Sequence, residues 1–445
     1  MRTVFHARHA WIGDGVAEDV RIEIEDGRFT AVTPGSPAEG EPLPGLVLPG
    51  LANAHSHAFH RALRGRTHSG RGSFWTWREQ MYAVAATLDP DGYLTLARAV
   101  YAEMALAGIT CVGEFHYLHH APGGVRYADP NAMGAALIQA ADEAGIRITL
   151  LDTLYLTGGV DGTPLEGVQK RFGDGDAAAW ASRVAGLRGG SHSLIGAAIH
   201  SVRAVPADQL AELSGRGPLH VHLSEQRAEN EQCRAVHGCT PTELLERHGV
   251  LGPGTTAVHA THLTDGDITL LGDSGTGVCF CPTTERDLAD GIGPARRLAD
   301  AHVPLSLGSD SHAVIDPFEE IRGLEMNERL ASESRGHFTA ASLVTAAAGH
   351  AALGWDDAGA IAPGMRADLV AISLSSVRTI GARPSQAILA ATAADVTHVI
   401  SGGRRIVADG VHTLVDVPRE LALALAHPPV SGASGFGSPQ PEEAS

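Results

Sequence analysis

The stretch Leu48 to His57, LPGLANAHSH, runs an apolar segment punctuated by Pro49 and Gly50 straight into the pair His55 and His57. Side chains two residues apart on a strand leave the same face, so a strand ending in H-x-H can bring two imidazoles to bear on one metal ion. With 24 histidines in 445 residues, about one such pair arises by chance, and the pair alone decides little. Its place in an ordered series gives it weight. Downstream come His220-Val-His222-Leu-Ser-Glu225, then Val258-His259, then Gly308-Ser309-Asp310-Ser311-His312, each at the end of a short apolar run.

From this stretch onward, residues 48–362 alternate helical and strand periods. Helical spacing covers 93–107 and 131–144, the second closed by Gly145, and apolar strand segments lie at 146–151, 194–199 and 303–307. Repeated β-then-α units of this length predict a (β/α)8 TIM barrel, in which side chains at the strand ends would converge at the C-terminal face. The flanks read differently. Residues 1–47 carry short alternating segments, with 20–25 running into Asp26-Gly27, a hairpin signal. The 363–427 region has the same texture at 366–372 and 396–400, with turns at 401–403 and Asp409-Gly410. The two ends are expected to meet as one small β-sandwich domain. The Gly/Ser/Pro-rich tail, 428–445, is expected to be disordered.

Composition narrows the function classes. Hydrophobic residues make up 44% of the chain, enough for a large domain and a smaller one. A formal charge of -18 argues against nucleic acid and anionic membrane as partners, and means that an acidic substrate must meet a local set of arginines. The five cysteines form no C-x-x-C pair and read as reduced thiols, with Cys279-Phe-Cys281 as core packing on an apolar strand. The opening MRTVFHARHAWIGDG lacks the apolar core of a signal peptide, and no run of about 18 apolar residues occurs, so a cytoplasmic protein is expected.

The ordered motifs resemble the amidohydrolase superfamily of metal-dependent hydrolases. That resemblance implies a metal held by His55, His57, His222 and Asp310, and a catalytic set of Glu225, His259 and Asp310. Glu225 would carry a proton to the departing nitrogen, and His259 would hold or polarise the attacking water. Two-metal members use a carboxylated lysine on the fourth strand; the single lysine here, Lys170, sits in a polar, Gly-rich segment, so one divalent ion per chain is expected. Three imidazoles and a carboxylate suit Zn2+, with Fe2+ also admitted. His262 and His312 fit supporting or packing roles equally.

Four further segments resemble the formimidoylglutamate deiminase family: Gly113-Glu-Phe-His-Tyr-Leu-His-His120, Ser73-Phe-Trp-Thr-Trp-Arg78-Glu, His200-Ser-Val-Arg203 and Cys281-Pro-Thr-Thr-Glu-Arg-Asp-Leu288. The implied reaction is hydrolysis of the small molecule N-formimidoyl-L-glutamate to N-formyl-L-glutamate and ammonia, in histidine degradation, by a homodimer. Arg203 would take the α-carboxylate, with His200 and Tyr117 bonding the glutamate part. His60 stands where many members of the family have glutamine. Arg61, Arg64, Arg66, Arg71 and Arg78, after the first strand, would steer anions or make surface pairs. Two other functions stay open on sequence alone. A related aminohydrolase acting on guanine or another aromatic or nucleoside amidine would want a stacking platform and no carboxylate-binding arginine. A noncatalytic interaction protein on the same barrel would be free to lose ligands, yet the full set is present.

Overall fold

The structure, a computed structural model, describes residues 2–68 and 72–426. Arg71 and the tail expected at 428–445 lie outside the described residues.

The N-terminal end forms β1 (Arg2–Ile12), β2 (Gly15–Glu25), β3 (Arg28–Thr33) and β4 (Glu41–Pro49). Asp26 and Gly27 both have positive φ, 50° and 77°, the turn that suits a two-residue hairpin between twisted strands. The chain then enters the barrel strands: β5 (Leu51–Ser56), β6 (Ile109–His116), β7 (Arg147–Leu154), β8 (Ser193–Ile199), β9 (Leu219–Leu223), β10 (Thr255–His259), β11 (Gly277–Phe280) and β12 (Leu305–Leu307). It returns through β13 (Leu369–Ile372), β14 (Val396–Ser401), β15 (Arg404–Ala408) and β16 (Val411–His412).

Strands β5 to β12 pair in sequence order, all parallel, and helices intervene between them, as in the expected TIM barrel. Local signals set those helices. Asp89 caps Pro90–Leu106 by accepting from the Gly92 N–H at 2.8 Å, and Gly145, at φ 80°, ends Ala132–Ala144. The first and last barrel strands meet across a short seam: the Asp310 N–H donates to the His55 carbonyl at 3.0 Å, and the His57 N–H to the Asp310 carbonyl at 3.2 Å. At that seam a Cβ on Gly308 would lie 2.8 Å from the Cβ and carbonyl oxygen of His55, so only glycine lets the strands approach.

The β-sandwich from the chain ends is one hydrogen-bonded series, β16-β15-β14-β13-β4-β1-β2-β3, with β4 joining the N- and C-terminal parts. Its own apolar core includes Phe5, Ile22, Phe29, Val47 and Ile400. A buried ion pair ties it to the barrel: Arg147 at the start of β7 donates through both terminal nitrogens to Asp368, one bond measuring 3.0 Å. Beside this pair Gly50 passes the chain from β4 into β5, where a Cβ would meet the Thr110 side chain at 2.4 Å. Among the described residues, no helix is long and apolar enough to cross a membrane.

Candidate active site

The C-terminal ends of the barrel strands converge on a cavity of about 500 Å³. His55 and His57 come from the end of β5, His222 from β9, His259 from the last position of β10, and Asp310 from just after β12. His222 Nε2 lies 3.1 Å from His55 Nε2; Asp310 Oδ1 lies 3.4 Å from His55 Nε2 and 3.5 Å from His57 Nε2. A tetrahedral site with bonds of about 2.0–2.1 Å has edges of about 3.3 Å, close to these three spacings; His55, His57 and Asp310 form one trio that could hold an ion, and His222 groups with His55 and His259 in another. The reverse sides of two rings are fixed. His57 Nδ1 donates to the Phe115 carbonyl at 2.8 Å and His222 Nδ1 to the His200 carbonyl at 2.9 Å, leaving each Nε2 lone pair toward the cluster. Burial, followed by the neighbouring imidazoles, holds His55 and His222 well below the usual histidine range, and burial pushes His57 down to about 3. Neutral imidazole is the form that ligates metal.

His259 behaves oppositely. Burial works against its charge, but Glu225, Glu285 and Asp310 outweigh it and hold the imidazole well above its ordinary value. Its Nε2 lies 3.6 Å from Asp310 Oδ2 and 3.8 Å from Glu225 Oε1; its Nδ1 lies 3.4 Å from Glu285 Oε1. Burial raises Glu225, opposed by His259 and Arg203. A carboxyl and an imidazole of such shifted basicity, a few ångströms apart, can exchange protons with a bound substrate. The backbone points the same way: Ser224, His259, Ala260 and Asp310 all take positive φ, between 42° and 69°, a conformation costly for non-glycine residues and common at functional sites.

The cavity is also walled by Phe74, Trp77, Tyr82 and Tyr155. Arg203 lies there, largely but not fully shielded from solvent, its guanidinium 5.7 Å from the centre of the Phe74 ring. It lies 3.6 Å from both Glu225 Oε2 and Glu229 Oε2, beyond hydrogen-bonding distance, and among the described residues its Nε has no hydrogen-bond partner. The fork is therefore compensated in charge yet open to a planar acceptor. His60 and Tyr117 meet each other, Nε2 to hydroxyl, at 2.9 Å, with His60 edge-on to Trp77. His200 packs on Tyr155 with centroids 4.3 Å apart and supplies the carbonyl that orients His222. All ten residues singled out from sequence, His55, His57, His60, Tyr117, His200, Arg203, His222, Glu225, His259 and Asp310, line this cavity or, for His55, sit directly behind it.

Other residues fall elsewhere. Lys170 is exposed on the 3-10 helix Gly167–Arg171 after β7, and β8 carries no lysine. His312 is buried between Ser309 Oγ at 2.9 Å and Ser56 Oγ at 3.1 Å. His262 lines a separate cleft with Arg227 and Arg234. Of the arginines after β5, Arg61 and Arg64 pair with Glu103, Arg66 reaches the Leu425 carbonyl, and Arg78 lines the cavity, stacked 4.5 Å from Trp75. Sequence reasoning assigned no role to Glu285 and Glu229. Glu285 opens a helix after Pro282 and reads as ordinary helix-start chemistry; only the fold turns it toward His259.

The amidohydrolase family model matches residues 46–406, and the model for the N-terminal domain of formimidoylglutamate deiminase HutF matches residues 2–43. The chain is 37% identical to formimidoylglutamate deiminase of Pseudomonas aeruginosa, covering 93% of this chain and 96% of that protein. It is 30% identical to 8-oxoguanine deaminase of the same organism, covering 90% and 92%. A crystal structure of an amidohydrolase from Brucella melitensis superposes with a TM-score of 0.89 at 33% identity, covering 95% of this chain and 99% of that one.

Proposed function

The chain belongs to the amidohydrolase family, as a homologue of formimidoylglutamate deiminase, and we propose that it hydrolyses N-formimidoyl-L-glutamate to N-formyl-L-glutamate and ammonia. The observation that carries this proposal is the open guanidinium fork of Arg203 in the same cavity that His57, His222, His259 and Asp310 line. The substrate has two carboxylates and one amidinium. Arg203 would clamp the α-carboxylate, with His200 alongside; Arg78, the other guanidinium in the wall, and the His60–Tyr117 pair would take the remaining carboxylate.

His55, His57, His222 and Asp310 would hold the ion, and their nitrogen and oxygen donors suit Zn2+, with Fe2+ also accommodated. A divalent ion so held brings the pKa of water toward about 7 and so furnishes a nucleophile at neutral pH. The protein groups then divide the proton work. His259 would orient and polarise the water, Asp310 would accept its proton, and Glu225 would pass a proton to the formimidoyl nitrogen so that it leaves as ammonia. Glu285, behind His259, keeps that imidazole aimed into the cavity. One ion per chain, a place in histidine degradation in the cytoplasm and a homodimeric assembly belong to the same proposal and rest on the sequence resemblance.

The deciding experiment measures ammonia release from N-formimidoyl-L-glutamate by the purified protein, with metal content determined on the same sample and guanine and 8-oxoguanine run beside it. Release that scales with about one ion per chain supports the proposal. Metal present with ammonia released only from a purine would overturn the substrate.

A further inference from the structure

Strands β10, β11 and β12 are neighbours, and a side chain able to ligate metal stands at or just beyond the end of each: His259, Cys281 and Asp310. One ligating atom from each lies within 4.8 Å of the other two. The two oxygens of Asp310 are divided between this trio and the histidine cluster. Oδ1 faces His55 and His57, at 3.4 and 3.5 Å, whereas Oδ2 faces His259 at 3.6 Å. A carboxylate so disposed can bridge two cations. We propose that a second, thiophilic divalent cation, Zn2+ in excess or Cd2+, binds between His259, Cys281 and Asp310, and that it inhibits the enzyme.

Donor chemistry and charge both favour such an ion. Thiolate selects Zn2+ and softer ions over Mg2+ and Ca2+. Cys281 binds as thiolate and His259 as neutral imidazole, both protons going to solvent, and the sulfur takes a bond of about 2.3 Å. Donors around such an ion stand about 3.3–3.8 Å apart, so the trio must close by about 1 Å, within the reach of side-chain rotation. Repulsion between two cations is offset by carboxylates already gathered on His259: Glu225 at 3.8 Å and Glu285 at 3.4 Å, besides the shared Asp310. The other buried trio of this kind, His116, His119 and Asp152, lacks that surplus. There the Asp152 oxygens already accept from Arg183, at 2.8 and 2.9 Å, and from Trp180 at 2.9 Å, which sets a fixed guanidinium against an incoming ion.

Inhibition rests on the catalytic roles proposed for His259 and Asp310, because the second ion takes the imidazole of the one and the free oxygen of the other from their work on water; the binding itself does not. The test therefore reads metal first. Enzyme holding one ion per chain, on a Cys233→Ser, Cys239→Ser background that removes two other buried thiols, is titrated with Cd2+. Bound equivalents and the ultraviolet thiolate-to-cadmium charge-transfer band are followed together, with ammonia release measured on the same samples. The expected result is a second equivalent whose binding brings the band and abolishes turnover, with both the band and the second equivalent lost in Cys281→Ser. A band that survives Cys281→Ser, or no second equivalent, overturns the site. Should Cys281→Ser fail to fold, zinc-edge X-ray absorption of the Cys281-containing enzyme at one and two equivalents decides. A sulfur neighbour at about 2.3 Å that enters only with the second ion supports the site, and nitrogen and oxygen neighbours alone refute it. Since neither metal measurement requires substrate, a wrong substrate assignment leaves this outcome legible.

Discussion

Replacing Arg203 separates substrate binding from proton chemistry. Arg203 counters Glu225 and Glu229 at 3.6 Å each, yet no hydrogen bond to either carboxylate occupies its fork. In Arg203→Met two losses coincide. The substrate carboxylate loses a bidentate, charge-assisted pair of hydrogen bonds, about 3 kcal/mol net, or about two orders of magnitude in kcat/KM. The carboxylates also lose their counter-charge: burial already pushes Glu229 up to about 7 with Arg203 opposing it, so both glutamates bind protons more tightly in the variant. Arg203→Lys divides these effects, since an ammonium restores charge beside Glu225 and Glu229 but cannot present a planar fork. Initial rates of ammonia release across substrate concentration, with metal content and melting temperature on the same samples, should show raised KM in both variants and a further fall in kcat only in Arg203→Met. A loss below about fivefold in kcat/KM for Arg203→Met, with metal retained, would refute the clamp.

The remaining expectations concern the proton shuttle, the barrel seam and the tie between the two domains. Glu225→Gln should keep its metal and lose about 10²–10⁴-fold in kcat; normal turnover would place the shuttle elsewhere. Gly308→Ala drives a methyl group against His55, at 2.8 Å, and should cost about 1–3 kcal/mol of stability while weakening metal binding; unchanged melting and metal content would refute the seam argument. Asp368→Asn leaves Arg147 buried without its counter-charge and should cost about 3–5 kcal/mol. Burial would raise the Asp368 carboxyl, but Arg147 outweighs it and holds it below the ordinary range. Its contribution is therefore present above the unfolded pKa of about 3.9 and is lost as pH falls through the lower folded value, a limb of the acid-unfolding profile that should vanish in Asp368→Asn.

The barrel is legible in the sequence because its signals are local. Apolar strand runs, the Asp89-Pro90 and Gly145 helix boundaries, and the H-x-H at a strand end are each written within a few residues. The convergence of His55, His222, His259 and Asp310 follows from one topological rule, that parallel barrel strands deliver their C-terminal ends to one face. Residues whose role depends on a turn of helix stay hidden. Glu285 reaches His259 only because the helix Pro282–Asp287 starts directly at the end of β11, and Glu229 reaches Arg203 only because the helix Arg227–His237 folds back over the cavity. The Cys279-Phe-Cys281 pattern reads as packing, and both thiols are buried. What the pattern cannot express is that Cys281 stands between His259 and Asp310, side chains that with it could hold a metal ion.

The seam explains why fold and site are one problem here. The Asp310 N–H and carbonyl close the barrel against His55 and His57, while its carboxylate faces the imidazoles of those same residues. The two imidazoles and the carboxylate are thus set at once by backbone hydrogen bonds that also hold β12 to β5. Asp310 sits there at φ 42° and His312 at 56°, conformations that side chains disfavour by about 1–3 kcal/mol each. Hydrogen bonds from Asn53 to Ser309, from Ser56 to Glu114 and around His312 hold the segment in that shape. An ion gripped by His55, His57, His222 and Asp310 would add to the same closure, because it binds only when β5 and β12 are in register. Metal binding and barrel closure should therefore stabilise each other, and a change at the seam should be felt in the chemistry before it is felt in the fold.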